Sequence, residues 1–286
     1  MKEIELSAGT IAYEDTGGDG PTVVLLHGLM MDASLWDGTV AALSATHRCV
    51  VPTLPMGAHR TPMRAGADLS LCGTARTVAE LLDRLDLTDV TLVGNDTGGA
   101  LVQLAVADGA ARVGRIVLAS CEAFDNYPAR LTGTTLALAG RLPPRLFGMF
   151  MQQMRLRPVR RLPIAFGRLT AHGDAATRRW MRPVLTSPGI RRDTVRTLRA
   201  APSDARRLSA AAESLRDFDR PALVVWAAGD RVMPPEHGRS LAALLPQGRL
   251  EEVPDSRTLI PLDRPEELAR AVRGFVPALS SDAGSG

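Results

Sequence analysis

Short apolar runs rich in β-branched residues alternate along this chain with longer stretches in which apolar positions recur every three or four residues. The runs over 22–26, 48–51, 90–93, 115–118, 222–226 and 250–253 are apolar at consecutive positions, the pattern of strands covered on both faces. Positions 4–6 and 11–13 predict an antiparallel hairpin that starts the sheet at its edge. Helical spacing falls over 35–44, 69–85, 100–107, 236–245 and 265–275. The last of these has Asp263 placed as an N-cap, with Glu266 at the position three residues later. Strands alternating with helices predict an α/β fold, a mostly parallel eight-stranded sheet flanked by helices.

One stretch breaks the alternation. Over 124–217 there is no strand pattern, and helical spacing is interrupted by Pro143, Pro144, Pro158, Pro163, Pro183 and Pro188. This predicts a helical lid at 124–217, inserted into a core formed by 1–123 and 218–278 and followed by a frayed tail over 279–286. Between Asn126 and Arg216 stand eighteen arginines and only four carboxylates. They read either as a solvated surface or as a basic rim for an acidic substrate or carrier protein. The apolar segment Leu146-Phe147-Gly148-Met149-Phe150-Met151, with Met154, reads as helix packing or as the lining of an adaptable pocket.

Composition narrows the classes. Of 286 residues 45% are hydrophobic and 23% charged, enough to bury a sizeable core. The net charge of +3 comes from nearly balanced cations and carboxylates, so no nucleic-acid partner is expected. Cys49, Cys72 and Cys121 show no metal-ligand spacing and read as free thiols in a reducing compartment. Neither metal nor cofactor is expected. The first residues lack the apolar core of a signal peptide, and no uncharged run reaches the length of a membrane span. A cytoplasmic protein with a small-molecule substrate and no membrane partner is the expectation.

The most informative motif is Gly94-Asn95-Asp96-Thr97-Gly98-Gly99, between the strand over 90–93 and the helix from 100. Small residues there permit a turn sharp enough to lift the central side chain above the sheet at a helix N-terminus. His27-Gly28-Leu29-Met30 directly follows the strand over 22–26. Together with the inserted lid and an acid after a late strand, these motifs resemble the α/β-hydrolase fold. Aspartate at the elbow is similar to the haloalkane dehalogenase and epoxide hydrolase branch. The resemblance implies that Asp96 attacks carbon to form an ester, and that a histidine, oriented by a second carboxylate, activates water to hydrolyse it. It also implies Leu29 and Thr97 N–H groups as the oxyanion hole, with His27 holding the loop. Asp230, after the strand over 222–226, and Glu122, after the strand over 115–118, both fit the orienting role.

The histidine itself is missing. In Val253-Pro254-Asp255-Ser256-Arg257-Thr258, the register puts Thr258 in its place. His47 precedes a core strand and His237 starts a helix. His59 and His172 remain as residues that overhang the pocket and supply an unusual base. The halide-binding residues of dehalogenases are absent, Leu29 and Thr97 standing where some carry Asn and Trp. Tyr127, at the lid's entry, is the one tyrosine placed to protonate an epoxide oxygen. His27, His59, Tyr127, His172 and Thr258 are therefore candidate substrate contacts. Three readings stay open. One is a hydrolase that opens an epoxide, ester or related C–O bond of a small, largely apolar molecule through Asp96. Another is a lyase, cyclase or isomerase that uses Asp96 as general acid or base, suited by the raised pKa of a carboxylate in apolar surroundings. The third is a catalytically silent binding protein.

Overall fold

Eight strands form one sheet in a computed structural model that describes residues 1–109 and 111–276, with the side chains of Arg130 and Leu131 excepted. They are β1 (Lys2–Leu6), β2 (Gly9–Asp15), β3 (Thr22–Leu26), β4 (Arg48–Thr53), β5 (Val90–Asp96), β6 (Val113–Cys121), β7 (Ala222–Ala227) and β8 (Gly248–Val253). Their order is β1-β2-β4-β3-β5-β6-β7-β8. Pairing is antiparallel from β1 through β2 to β4 and parallel everywhere else. The tail over 279–286 and core positions 277–278 lie outside the described residues.

Consecutive apolar residues become strands here because helices cover both faces of the sheet. Every residue of β5 and β7 is buried. β8 departs from that expectation: it is the last strand of the sheet, and only Val253 in it is buried. The helices of the core are α1 (Asp37–Leu43), α2 (Leu71–Arg84), α3 (Thr97–Ala107), α9 (Pro235–Leu244), α10 (Ile260–Asp263) and α11 (Pro265–Phe275). α2 is amphipathic, burying Leu71, Ala75, Val78 and Leu82 at helical spacing. α3 is apolar nearly all round because β5, β6, α2 and the insertion all pack on it.

Several ends differ from the sequence reading. The strand expected over 90–93 runs on to Asp96, and α3 begins at Thr97 rather than at 100. The elbow is thus the direct joint of strand and helix. Asp263 does not cap α11, whose N-cap is Arg264 without a side-chain bond. Its carboxylate instead accepts from Thr170 Oγ1 at 2.6 Å, Ala171 N at 3.1 Å and Arg257 N at 3.2 Å. Propensity gave way to a tertiary contact that ties the insertion to the loop after β8.

Between β6 and β7 run α4 (Arg130–Ala139), α5 (Pro144–Met151), α6 (Arg157–Arg160), α7 (Asp174–Thr186) and α8 (Pro188–Ser214), with no strand among the described residues. Pro144, Pro158 and Pro188 open helices, where a missing N–H costs nothing, while Pro183 lies inside α7. α8 returns across α3 and α2, burying Ile190, Val195, Leu198 and Leu208. The far end of the insertion is therefore part of the core packing, whereas α4 to α6 stand above the C-terminal ends of β5 and β6.

Candidate active site

Asp96 sits at φ 56°, ψ −129°, a region that side chains other than glycine rarely occupy. The sharp joint brings α3 against the preceding strand: a Cβ on Gly98 would lie 2.1 Å from the Leu26 carbonyl oxygen. A Cβ on Gly28 would lie 2.3 Å from Asp96 Oδ1, so the His-Gly loop and the elbow fit only with glycine there. The Asp96 side chain is 7% exposed at the floor of a cavity of about 140 Å³.

One carboxylate oxygen is clamped. Asp96 Oδ1 accepts from Thr97 N at 2.7 Å and from Thr97 Oγ1 at 3.0 Å, and the Leu29 N–H also donates to the carboxylate. Burial raises the pKa of Asp96, and the Thr97 and Leu29 donors oppose that rise. Both Thr97 bonds thus fall on Oδ1, and the carboxylate lines the cavity.

Glu122 shares the cavity. It stands just past Cys121, the residue of β6 paired with Asp96 across the parallel ladder. Its Oε1 accepts from Ala129 N at 3.1 Å, its carboxyl also meets the Thr97 hydroxyl, and its buried Oε2 has no partner among the described residues. Burial first, and then the charge of Asp96, hold Glu122 well above the usual carboxylate range. Asp96 has more donors facing it, so the pair carries its proton on Glu122 and its charge on Asp96. The remaining lining is largely apolar, with Thr132, Thr135 and Gln153 as its polar members, and is rich in methionine: Met30, Met31, Met151, Met154 and Met181, with Phe150 and Phe166.

Asp230 and Thr258 form a separate unit. Thr258 Oγ1 donates to Asp230 Oδ1 at 2.8 Å, and Val232 N and Met233 N donate to the same oxygen. Thr258 is fully buried, and its carbonyl accepts from Asn95 Nδ2 at 2.8 Å. Burial pushes the Asp230 pKa up, and its Oδ2 has no partner among the described residues. Neither residue lines the cavity, although the neighbouring Val232 does.

The histidines lie elsewhere. His27 Nδ1 donates to the Gly28 carbonyl at 2.8 Å and Nε2 accepts from Leu54 N at 2.8 Å, which fixes a neutral tautomer. Burial lowers its pKa to about 4. His59 is buried 3.5 Å from Asp193 of α8, and His172 is exposed, 3.6 Å from Asp263. His47 Nε2 meets the Val276 carbonyl, and His237 packs edge-on to Phe124. His27, His59, His172 and Tyr127 are all absent from the cavity lining. The positions expected to supply a base thus do not reach Asp96, and Glu122 does share its cavity.

The sequence reading gave Thr97 a backbone role alone and set Glu122 beside Asp230 as an alternative. The adjacency of β5 and β6 was the signal that joins them, since parallel neighbours end side by side. Of the apolar segment 146–151, Phe150 and Met151 line the cavity, Phe147 and Gly148 pack inward, and Leu146 and Met149 are exposed.

Comparison with known proteins places these features among relatives. Residues 21–265 match the family model described as alpha/beta hydrolase fold. A cis-3-alkyl-4-alkyloxetan-2-one decarboxylase of Xanthomonas campestris is 28% identical over 96% of this chain and 95% of its own length. Haloalkane dehalogenase 2 of Mycobacterium tuberculosis is 25% identical over 93% of this chain and 91% of its own. Among solved structures, a thermophilic esterase from Thermogutta terrifontis superposes with a TM-score of 0.74 at 22% identity, over 96% of this chain and 98% of its own. An ancestral haloalkane dehalogenase does so at 0.77 and 21%, with the same coverage of both chains.

Proposed function

Because the chain belongs to the α/β-hydrolase fold family, we propose that it is an enzyme that opens a C–O bond of a small, largely apolar molecule, with Asp96 as nucleophile and Glu122 in the part usually taken by histidine. The observation that carries this reading is the setting of the Asp96 carboxylate, clamped at Oδ1 by the Thr97 N–H and hydroxyl and lining a cavity that also holds Glu122. Epoxides, esters and strained cyclic esters are the substrate class. The relatives named as dehalogenase and oxetan-2-one decarboxylase support an electrophilic carbon as the target.

The steps balance with residues of this chain. Oδ2 of Asp96 bonds to the substrate carbon as the C–O bond breaks, and the departing oxygen takes the proton of Glu122. Water then gives a proton to the Glu122 carboxylate as its oxygen attacks Asp96 Cγ. The oxyanion forms on Oδ1, facing the Leu29 and Thr97 N–H groups. Collapse breaks the Cγ–Oδ2 bond, so the former Oδ2 leaves on the product carbon with a proton from Glu122; the water oxygen takes its place in the Asp96 carboxyl, whose proton returns to Glu122. No histidine is needed.

A second reading has one observation in its favour, the decarboxylase relative, whose printed name describes a reaction other than hydrolysis. There Asp96 and Glu122 serve as base and acid, and no water enters. Turnover in H₂¹⁸O separates the two. Hydrolysis through an Asp96 ester leaves ¹⁸O in the Asp96 carboxylate, read by mass spectrometry of the peptide, and Asp96→Asn abolishes turnover. Product without label in Asp96 rejects the ester route, and an active Asp96→Asn variant rejects both.

A further inference from the structure

The large apolar side chains that this protein exposes are not scattered. Apart from Met1, all those exposed among the described residues fall between 138 and 164. Leu146, Met149 and Phe150 lie on one face of α5, spaced so that Phe147 and Met151 point inward. Leu156, Leu162 and Ile164 follow on the next segment; Met149 is 70% and Leu156 60% exposed. Phe150, Leu162 and Ile164 also line the cavity, so the patch is the rim of its mouth. Contiguous exposed apolar surface of this kind marks an interaction site.

The charge around it has one sign. From Asn126 to Gly173 there is no aspartate or glutamate, against eight arginines. Arg141, Arg145, Arg155 and Arg168 are exposed and have no carboxylate within ion-pair distance among the described residues. Apolar side chains interleaved with cations suit a phospholipid surface, where the former reach the acyl boundary and the latter meet anionic headgroups. An acidic protein would satisfy the arginines but offers no general match for a rim of exposed leucine, isoleucine and methionine. No helix among the described residues is long and apolar enough to cross a membrane, so any such contact lies in the plane of the surface.

We propose that this face of the insertion, α5 and the segment 155–164, docks on an anionic phospholipid surface and admits apolar substrate to the cavity from it. The proposal revises the expectation of no membrane partner, which rested on spanning segments alone. It goes beyond the Asp96 chemistry, and its test needs no turnover. The full chain is sedimented with vesicles of phosphatidylcholine, with and without phosphatidylglycerol. Binding is expected with the anionic vesicles, weak binding with neutral ones, and release as salt approaches about 1 M, where screening shortens to about 3 Å. M149D/L156D should bind roughly tenfold or more weakly with an unchanged melting temperature, both sites being exposed. R145Q/R155Q should lower affinity and flatten the salt dependence. A chain that stays in the supernatant with anionic vesicles at low salt overturns the proposal, whatever acidic protein it binds, as does M149D/L156D binding like the parent.

Discussion

Two buried carboxylates that share one hydroxyl set the pH behaviour of the site. In the proposed reaction Asp96 attacks as the carboxylate, so activity should fall as pH drops below its pKa, which burial raises. In the same proposal Glu122 serves the departing oxygen only while protonated, so activity should fall as pH climbs through its own value, held well above the usual carboxylate range. A bell-shaped profile of kcat/KM is the expected outcome. Glu122→Gln should erase the alkaline limb and lower kcat about 10²–10⁴-fold; an unchanged profile would remove Glu122 from the mechanism. Thr97→Val keeps the backbone donor but removes the hydroxyl that touches both carboxylates. Loss of a bond to a charged group predicts a fall in kcat of roughly 10–100-fold with a shifted alkaline limb. The place of Asp96 at the sharp joint of strand and helix was legible in sequence, because glycines stand on both sides of it between a strand and a helix pattern. The carboxyl that shares its cavity was not. Glu122 is distant in sequence, and only the register of β5 against β6 brings it alongside.

Joints between elements carry the stability predictions. Asp204 on α8 is 1% exposed and accepts from Leu71 N at the start of α2. Burial lifts its pKa to about 6. A carboxyl whose folded value is raised favours the fold below its unfolded value near 3.8, and that advantage is lost as pH rises through about 6. Asp204→Asn should therefore raise the melting temperature at pH 8, with the gain shrinking toward pH 4; melting curves at the two pH values decide it. At the joint between β7 and the loop after β8, Thr258→Val leaves Asp230 with its two backbone donors and removes the hydroxyl. A cost of about 1–3 kcal/mol is expected, with kcat within about twofold of the parent. A large loss of kcat without loss of stability would return Asp230 and Thr258 to the reaction. Strands and helices were readable because burial on one or two faces writes itself into apolar spacing. Their ends were less so: Asp263 has the composition of an N-cap, yet Thr170 and Ala171, some ninety residues earlier, claim its carboxylate.

Across the whole molecule, the sheet and the insertion differ in how firmly they are held. α3 is enclosed by β5, β6, α2 and α8, and its residues from Thr97 to Ala105 are all buried. The insertion is anchored at its far end, where Asp193 accepts from Met63 N at 2.7 Å and Trp180 donates to Ser34 Oγ at 2.9 Å. At its near end side-chain bonds run within the insertion, as from Thr132 to Pro163, Gln152 to Leu185 and Arg199 to Gly140, and α6 buries only Arg160. His59 shows why this division escaped the sequence: its partner Asp193 lies 134 positions away on α8, so a candidate base is in fact part of the anchor. Local opening follows contact with the core, which predicts unequal amide exchange. Amides of α3 and β5 should exchange only with global unfolding, while those of α4 to α6 exchange orders of magnitude faster. Hydrogen–deuterium exchange read by mass spectrometry checks this. An apolar ligand seated against Phe150, Met154 and Ile164 should slow exchange in α4 to α6 and leave α3 unchanged. Equal protection of α3 and α5 without ligand would show instead that the insertion unfolds with the core, and that the mouth of the cavity does not open by itself.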